Sequence, residues 1–174
     1  MSMDEENYEY FMIVVTRVRN ENMMLRSFIP YYLSQGVDRI FLLNDNSTTP
    51  FEDWVLNHDK VEIQPVRKRL PEWSSVEQCL TRDLRKKTRW VITVDCDEFI
   101  NTVRDPSKTI REEMETTFKY VSCVKIPWLL FTRNKRVEFV LRNIQKRSYG
   151  ENRNHVFCMN QMLLKVFLDF LNPL

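Results

Sequence analysis

The pattern that most constrains this chain is a short, continuous apolar run that stops abruptly on polar or acidic residues, and it occurs three times. Tyr10-Phe-Met-Ile-Val-Val15 gives way to Thr16-Arg-Val-Arg-Asn-Glu21, Arg39-Ile-Phe-Leu-Leu43 to Asn44-Asp-Asn46, and Trp90-Val-Ile-Thr-Val94 to Asp95-Cys-Asp97. Runs of this length without polar alternation suit strands covered on both faces, as in a parallel sheet. Between the first two lies one helical stripe: Leu25, Phe28, Ile29, Tyr32 and Leu33 share a face, and Gly36 stands where a helix stop belongs. Pro30 interrupts the stripe and predicts a kink. Strand, helix and strand make a βαβ unit.

The same alternation continues. Val61-Glu-Ile63 predicts a short third strand, and a helix capped by Ser74 or Ser75 leads through Val76, Cys79, Leu80 and Leu84 to the fourth strand at 90–94. A helix over 109–118 and a strand over 121–128 follow; a second helical stretch is predicted at 137–146, and 162–171 is apolar with Lys165 and Asp169 inserted. At 174 residues and 43% hydrophobic content the chain fills one core. The expected fold class is therefore α/β: a three-layer sandwich with a central, mainly parallel sheet flanked by helices, built as a single domain.

Composition removes several functions. Gly36 and Gly150 are the only glycines, so neither the dinucleotide fingerprint nor the P-loop can be built. Four widely spaced cysteines with no C-x-x-C pair, and only His58 and His155 to join them, argue for buried thiols over a zinc site. A net charge of +2 creates no global field for nucleic acid. The acidic, polar start MSMDEENYEY lacks the basic and apolar regions of a secretory signal, and no segment reaches the roughly 18 to 20 apolar residues of a membrane span. The expectation is a cytoplasmic chain with no transmembrane segment.

Parallel strands place their carboxyl ends on one rim, where open α/β sheets bind ligands. On that rim Asp95 and Asp97 would point the same way about 7 Å apart, with Cys96 turned inward. Two carboxylates at that spacing repel; a divalent cation relieves the repulsion, and Mg²⁺ or Mn²⁺ usually completes its shell with phosphate oxygens and water.

The order of these motifs resembles the nucleotide-sugar half of GT-A fold (Rossmann-like) glycosyltransferases, and within them a family-2-like group with K-N-E near the start and D-x-D-E-F at the metal site. The resemblance covers roughly residues 10–130; Arg19 stands in place of the lysine and keeps its charge. It implies a metal-dependent transferase that moves a sugar from a nucleoside diphosphate, a UDP-sugar by preference, to a glycan or glycoprotein acceptor. Thr16, Arg17, Val18 and Arg19 would line base and ribose, Glu21 would shape that pocket, and Asp45 would accept a hydrogen bond from the base. Asp95 would face the ribose or the metal, Asp97 would bind Mn²⁺ or Mg²⁺, and Cys96 belongs to the same donor-site stretch. Gln78 and Arg82, on the helix before the fourth strand, are weaker candidates for the nucleotide side. Algal-virus enzymes resembling this group decorate capsid glycoproteins, so a viral capsid glycoprotein is one acceptor consistent with the resemblance.

Residues 131–174 would be a short or truncated acceptor side. His155 is the one downstream histidine, and Asn154-His-Val-Phe-Cys158 does not match the third metal ligand the resemblance calls for. No residue is selected as catalytic base. Trp128 and Phe131 could pack against an acceptor sugar or in the core. Two other readings stay open: a haloacid-dehalogenase-type phosphatase with Asp95 as nucleophile, and a nucleic-acid-binding module using Arg67–Arg69 and Arg85–Arg89 interleaved with Trp73 and Trp90.

Overall fold

The computed structural model describes residues 8–66, 82–102, 105–127, 130–133, 144–147 and 154–159. Four parallel strands form its heart: β1 (Tyr10–Val18), β2 (Arg39–Asn44), β3 (Val61–Pro65) and β4 (Thr88–Thr93). The helices are α1 (Asn22–Ser34), α2 (Asp53–Leu56), α3 (Arg82–Lys87) and α4 (Ile110–Glu115). Later strands are β5 (Cys123–Pro127), β6 (Leu130–Arg133), β7 (Ile144–Arg147) and β8 (Asn154–Met159). The main sheet runs β3-β2-β1-β4-β8-β5, with β8 antiparallel to both β4 and β5; β6 and β7 pair antiparallel as a separate ribbon. The class is α/β with a mainly parallel central sheet flanked by helices.

Alternation along the strands divides the core into two layers. Met12, Val14, Ile40, Leu42, Trp90 and Ile92 point to one face, where Leu25, Phe28, Ile29 and Tyr32 of α1 cover them together with Val55, Ile110 and Met114. Ile13, Val15, Phe41, Leu43 and Val91 point to the other, against Leu84 of α3. Burial on both faces explains why these runs carry no polar alternation.

Helix α1 runs through Pro30, which lies on its exposed face. The chain leaves the helix through Gly36 at φ +86°, where a Cβ would stand 2.6 Å from Cβ of Arg111. Only glycine fits both the left-handed backbone and that approach. Arg111 itself donates to the Gly36 carbonyl (3.1 Å) and to Asp38 (2.8 Å) and lies over the Phe11 ring, docking α4 against the turn. At the start of α4, Thr109 and Glu112 form a reciprocal capping box.

Several boundaries differ from the sequence reading: the strand expected at 61–63 runs to Pro65, the helix expected over 109–118 is Ile110–Glu115, and the strand expected over 121–128 is Cys123–Pro127. β1 extends past the apolar run to Val18, because its ladder with β2 continues to Val18 opposite Asn44. β4 begins at Thr88 and ends at Thr93, a shift toward its N-terminus that leaves Val94 outside the strand. Ile144 to Lys146, expected in a helix, lie in β7, where pairing with β6 satisfies the backbone instead. β8, from the segment expected on the acceptor side, occupies a place in the central sheet. The expected helix before 82 and the apolar stretch 162–171 lie outside the described residues. Among those residues, no helix is long and apolar enough to cross a membrane.

Candidate functional site

The order β3-β2-β1-β4 places a topological switch between β1 and β4: connections from β1 proceed outward to β2 and β3, then return to β4 on the other side. At such a switch the loops diverge and leave a crevice beyond the carboxyl ends of the strands. A cleft of about 480 Å³ lies there, lined by Arg17, Val18, Arg19, Glu21, Met24, Asp45, Asp95, Cys96 and Asp97. Three polar clusters that are distant in sequence thus share one cavity.

Each wall has its own local cause. Past Val18 the backbone turns at Asn20, which adopts φ +59°, a left-handed conformation that asparagine tolerates better than most residues. The Asn20 side-chain oxygen accepts from the amides of Thr48 (2.8 Å) and Thr49 (3.0 Å), while its own amide donates to the Ser47 hydroxyl (3.1 Å). These bonds stitch the loop after β1 to the loop after β2. Asn46 is left-handed as well, at φ +53°, and Asn44 accepts from the Ser47 amide at 2.9 Å. Between the two loops, the Arg17 guanidinium donates to the Asp45 carboxylate at 2.6 Å, with both side chains largely covered. Asp45 is therefore fixed in place by Arg17.

Opposite lies the acidic loop after β4. Asp95 and Asp97 are exposed and Cys96 between them is buried, but Cys96 and Asp97 lie in a turn and not in the extended segment expected, because β4 ends at Thr93. The loop then closes: the Asp95 amide donates to the Glu98 carboxylate (2.8 Å), and the Glu98 amide donates to the Asp95 carbonyl (3.0 Å). Partial loss of solvent on its cleft side, then the negative charges of Asp95 and Glu98, raise the Asp97 carboxyl above its ordinary value, although the residue stays largely open to water. Burial also pushes the Cys96 thiol up to about 12, with Glu21, Asp97 and Asp95 adding to the shift. A thiol so disposed carries almost no thiolate at pH 8, so Cys96 should resist iodoacetamide in the native protein and react once urea unfolds it. Mass spectrometry of the labelled chain checks this; rapid native labelling at Cys96 would contradict the burial.

The sequence-derived candidates are thus placed as follows. Arg17, Val18, Arg19, Glu21, Asp45, Asp95, Cys96 and Asp97 line the cleft. Thr16 does not: it is fully buried within β1, because the strand continues past it. Arg82 opens α3, and Gln78 lies outside the described residues. His155 sits on β8, its backbone paired opposite Ile126. Met24 also lines the cleft although no sequence pattern singles it out, and Asn20, inside the Arg-Asn-Glu triplet, joins the two loops that shape it. Trp90 is fully buried, so it offers no stacking face to a nucleic acid.

Among the described residues no group of three or more His, Cys, Asp or Glu side chains could hold a metal ion. The acidic loop offers two carboxylates, Asp95 and Asp97. Such a pair suits Mg²⁺ or Mn²⁺, which bind through one or two carboxylates together with substrate phosphates and water.

No family model matches the chain. It is 32% identical over 94 residues, 52% of its length, to a rice protein (Oryza sativa subsp. japonica) named glycosyltransferase family 92 protein Os08g0121900. The match spans 16% of that relative, so the chain corresponds to a small part of it. A solved structure of 4-diphosphocytidyl-2C-methyl-D-erythritol synthase from Anaerococcus prevotii superposes with a TM-score of 0.48 at 8% identity, covering 87% of this chain and 72% of that one. That likeness is too loose to bear on function.

Proposed function

We propose that this chain carries the donor site of a glycosyltransferase that moves a sugar from a nucleoside diphosphate, with UDP-sugars the favoured donors, to a glycan or glycoprotein acceptor. The observation that carries the reading is the convergence of Arg17–Glu21, Asp45 and Asp95–Asp97 on one cleft at the switch point of the sheet. The name of the rice relative supports the reaction class.

In this reading Asp45, anchored by Arg17, accepts a hydrogen bond from an N–H of the base, and Val18 and Glu21 shape the wall beside the ribose. Arg19, exposed at the cleft, brings positive charge to the side where the diphosphate lies. Asp95 and Asp97 would hold Mn²⁺ or Mg²⁺. When bound, the ion stabilises the negative charge that develops on the departing nucleoside diphosphate.

Two carboxylates alone form an incomplete cage, so the ion should bind well only together with phosphate. Calorimetric titration tests this directly. Mn²⁺ alone should bind weakly, UDP alone modestly, and UDP with Mn²⁺ on the order of tenfold or more tighter than UDP alone. GDP and its sugars serve as the comparison for base preference. Equal UDP affinity with and without Mn²⁺ would remove the metal-dependent reading. Covalent phosphorylation of Asp95 by a phosphate ester would replace it with the phosphatase reading.

A further inference from the structure

The acidic loop is held from a direction the donor site does not explain. Its later residues, 98–101, lie against the last turns of α1. The Tyr32 hydroxyl donates to the Glu98 carbonyl at 2.9 Å. The Tyr31 hydroxyl lies against the Ile100 carbonyl and against the Asn101 side-chain oxygen at 2.7 Å, and its one proton is shared between them. Phe99 packs among three aromatic rings of the same helix: edge-on to Tyr31 at 5.1 Å, edge-on to Phe28 at 6.4 Å, and stacked on Tyr32 at 6.5 Å with 12° between planes. Tyr31 and Tyr32 themselves meet edge to face at 5.2 Å.

Helix α1 also builds the far wall of the cleft. Glu21 immediately precedes it and its carbonyl accepts from Leu25, while Met24 in its first turn lines the cavity. One rigid helix therefore carries a cleft wall at its N-terminal end and the anchor of the acidic loop at its C-terminal end. Glu98 completes the path, since Tyr32 grips its carbonyl while its amide and carboxylate grip Asp95.

We infer that Tyr31 and Tyr32 are positioning residues that fix the Asp95–Asp97 loop relative to the nucleotide wall, using α1 as a common strut. The inference rests on the donor-site reading for its ligand and on the hydrogen bonds above for its mechanics. Without the hydroxyls, Phe99 keeps its aromatic neighbours but the carbonyls of residues 98 and 100 lose their donors. The acidic pair then samples a wider range of positions. Partners that orient metal ligands from behind typically change metal affinity by about 10 to 100-fold.

The test uses Tyr31→Phe, Tyr32→Phe and the double variant, each retaining its ring. UDP affinity is measured with and without Mn²⁺, and amide hydrogen exchange is followed across the fold. The double variant should lose about tenfold of the Mn²⁺-dependent gain in UDP affinity while metal-free UDP affinity stays within about twofold. Amides 95–101 should exchange faster, and those of β1 to β3 should be unchanged. An unaltered gain overturns the inference, as does a parallel fall of both affinities, which would signal general destabilisation. If the wild-type protein shows no Mn²⁺-dependent gain, the donor-site reading fails instead, and exchange at 95–101 alone decides whether the tyrosines hold the loop.

A second consequence concerns alkaline stability. Burial pushes the Tyr31 hydroxyl up to about 12 and raises that of Tyr32 further. The native state then keeps these protons at pH values where the unfolded chain, with tyrosines near 10, has released them. Their contribution is complete below about pH 10 and declines as pH climbs toward 12. Urea midpoints should therefore fall across that interval, and the fall should be shallower in the double phenylalanine variant.

Discussion

Asp97→Asn should abolish the Mn²⁺-dependent part of UDP binding, a loss of about tenfold or more, and should at the same time slightly raise the melting temperature of the ligand-free protein. The first effect follows from removing an ion ligand, where even changes to supporting partners cost about 10 to 100-fold. The second follows from the raised carboxyl of Asp97. Below the ordinary value of 3.8 the acid is protonated in both states and costs nothing. As pH rises, the unfolded chain ionises first, so folding is disfavoured at neutral pH by burial and by the charges of Asp95 and Glu98. An asparagine of the same shape carries no charge and removes that cost. Stability gained as binding is lost is the signature of a residue kept for function. A melting temperature lowered in Asp97→Asn would show that Asp97 is held by favourable contacts, and the cation argument would lose its footing. Scanning both proteins from neutral pH down toward the ordinary carboxylate value supplies the internal control, because the gain should shrink as Asp97 becomes protonated in both states.

Trp90→Ala should cost about 3 to 5 kcal/mol of stability, the range for removing a large aromatic from a core. Trp90 is fully buried on the middle strand face, against the α1 layer, in the strand that delivers Asp95 and Asp97. With native domains stable by about 5 to 15 kcal/mol, that loss takes a large share of the total. The urea midpoint should fall with little change in slope, and nucleotide binding should weaken only as far as the folded fraction falls. A variant that stays as stable as wild type and loses nucleic-acid binding would place the indole on the surface and revive the basic-patch reading.

Much of the site was legible because its signals are local. Each apolar run announces a strand, each polar break announces its carboxyl end, and parallel topology alone brings Arg17, Asp45 and Asp97 to one rim. What escaped depends on long-range geometry. Thr16 read as a rim residue because the apolar run stops at Val15, yet hydrogen bonding to β2 carries the strand through Val18 and buries it. Polarity marked the end of the run but not the end of the ladder. Asn20 was passed over because a left-handed asparagine and its bonds to Thr48 and Thr49 leave no pattern in the sequence. Tyr32 reads as one member of an apolar stripe, but its hydroxyl partner lies beyond the next three strands. A pattern can assign a residue to a face; it does not reveal what the far end of its side chain will touch.

The position of β8 bears on how such a chain emerges from the ribosome. β1 to β3 can pair as soon as they are made, but β4 takes its second neighbour from residues 154–159, so translation must run well past the acidic loop before that edge is covered. Until then a nascent chain presents the unpaired backbone groups of Trp90, Val91 and Ile92, an edge that invites strands from neighbouring chains. Late capture of β4 leaves the strand that leads into the acidic loop the last of the parallel four to be secured on both sides.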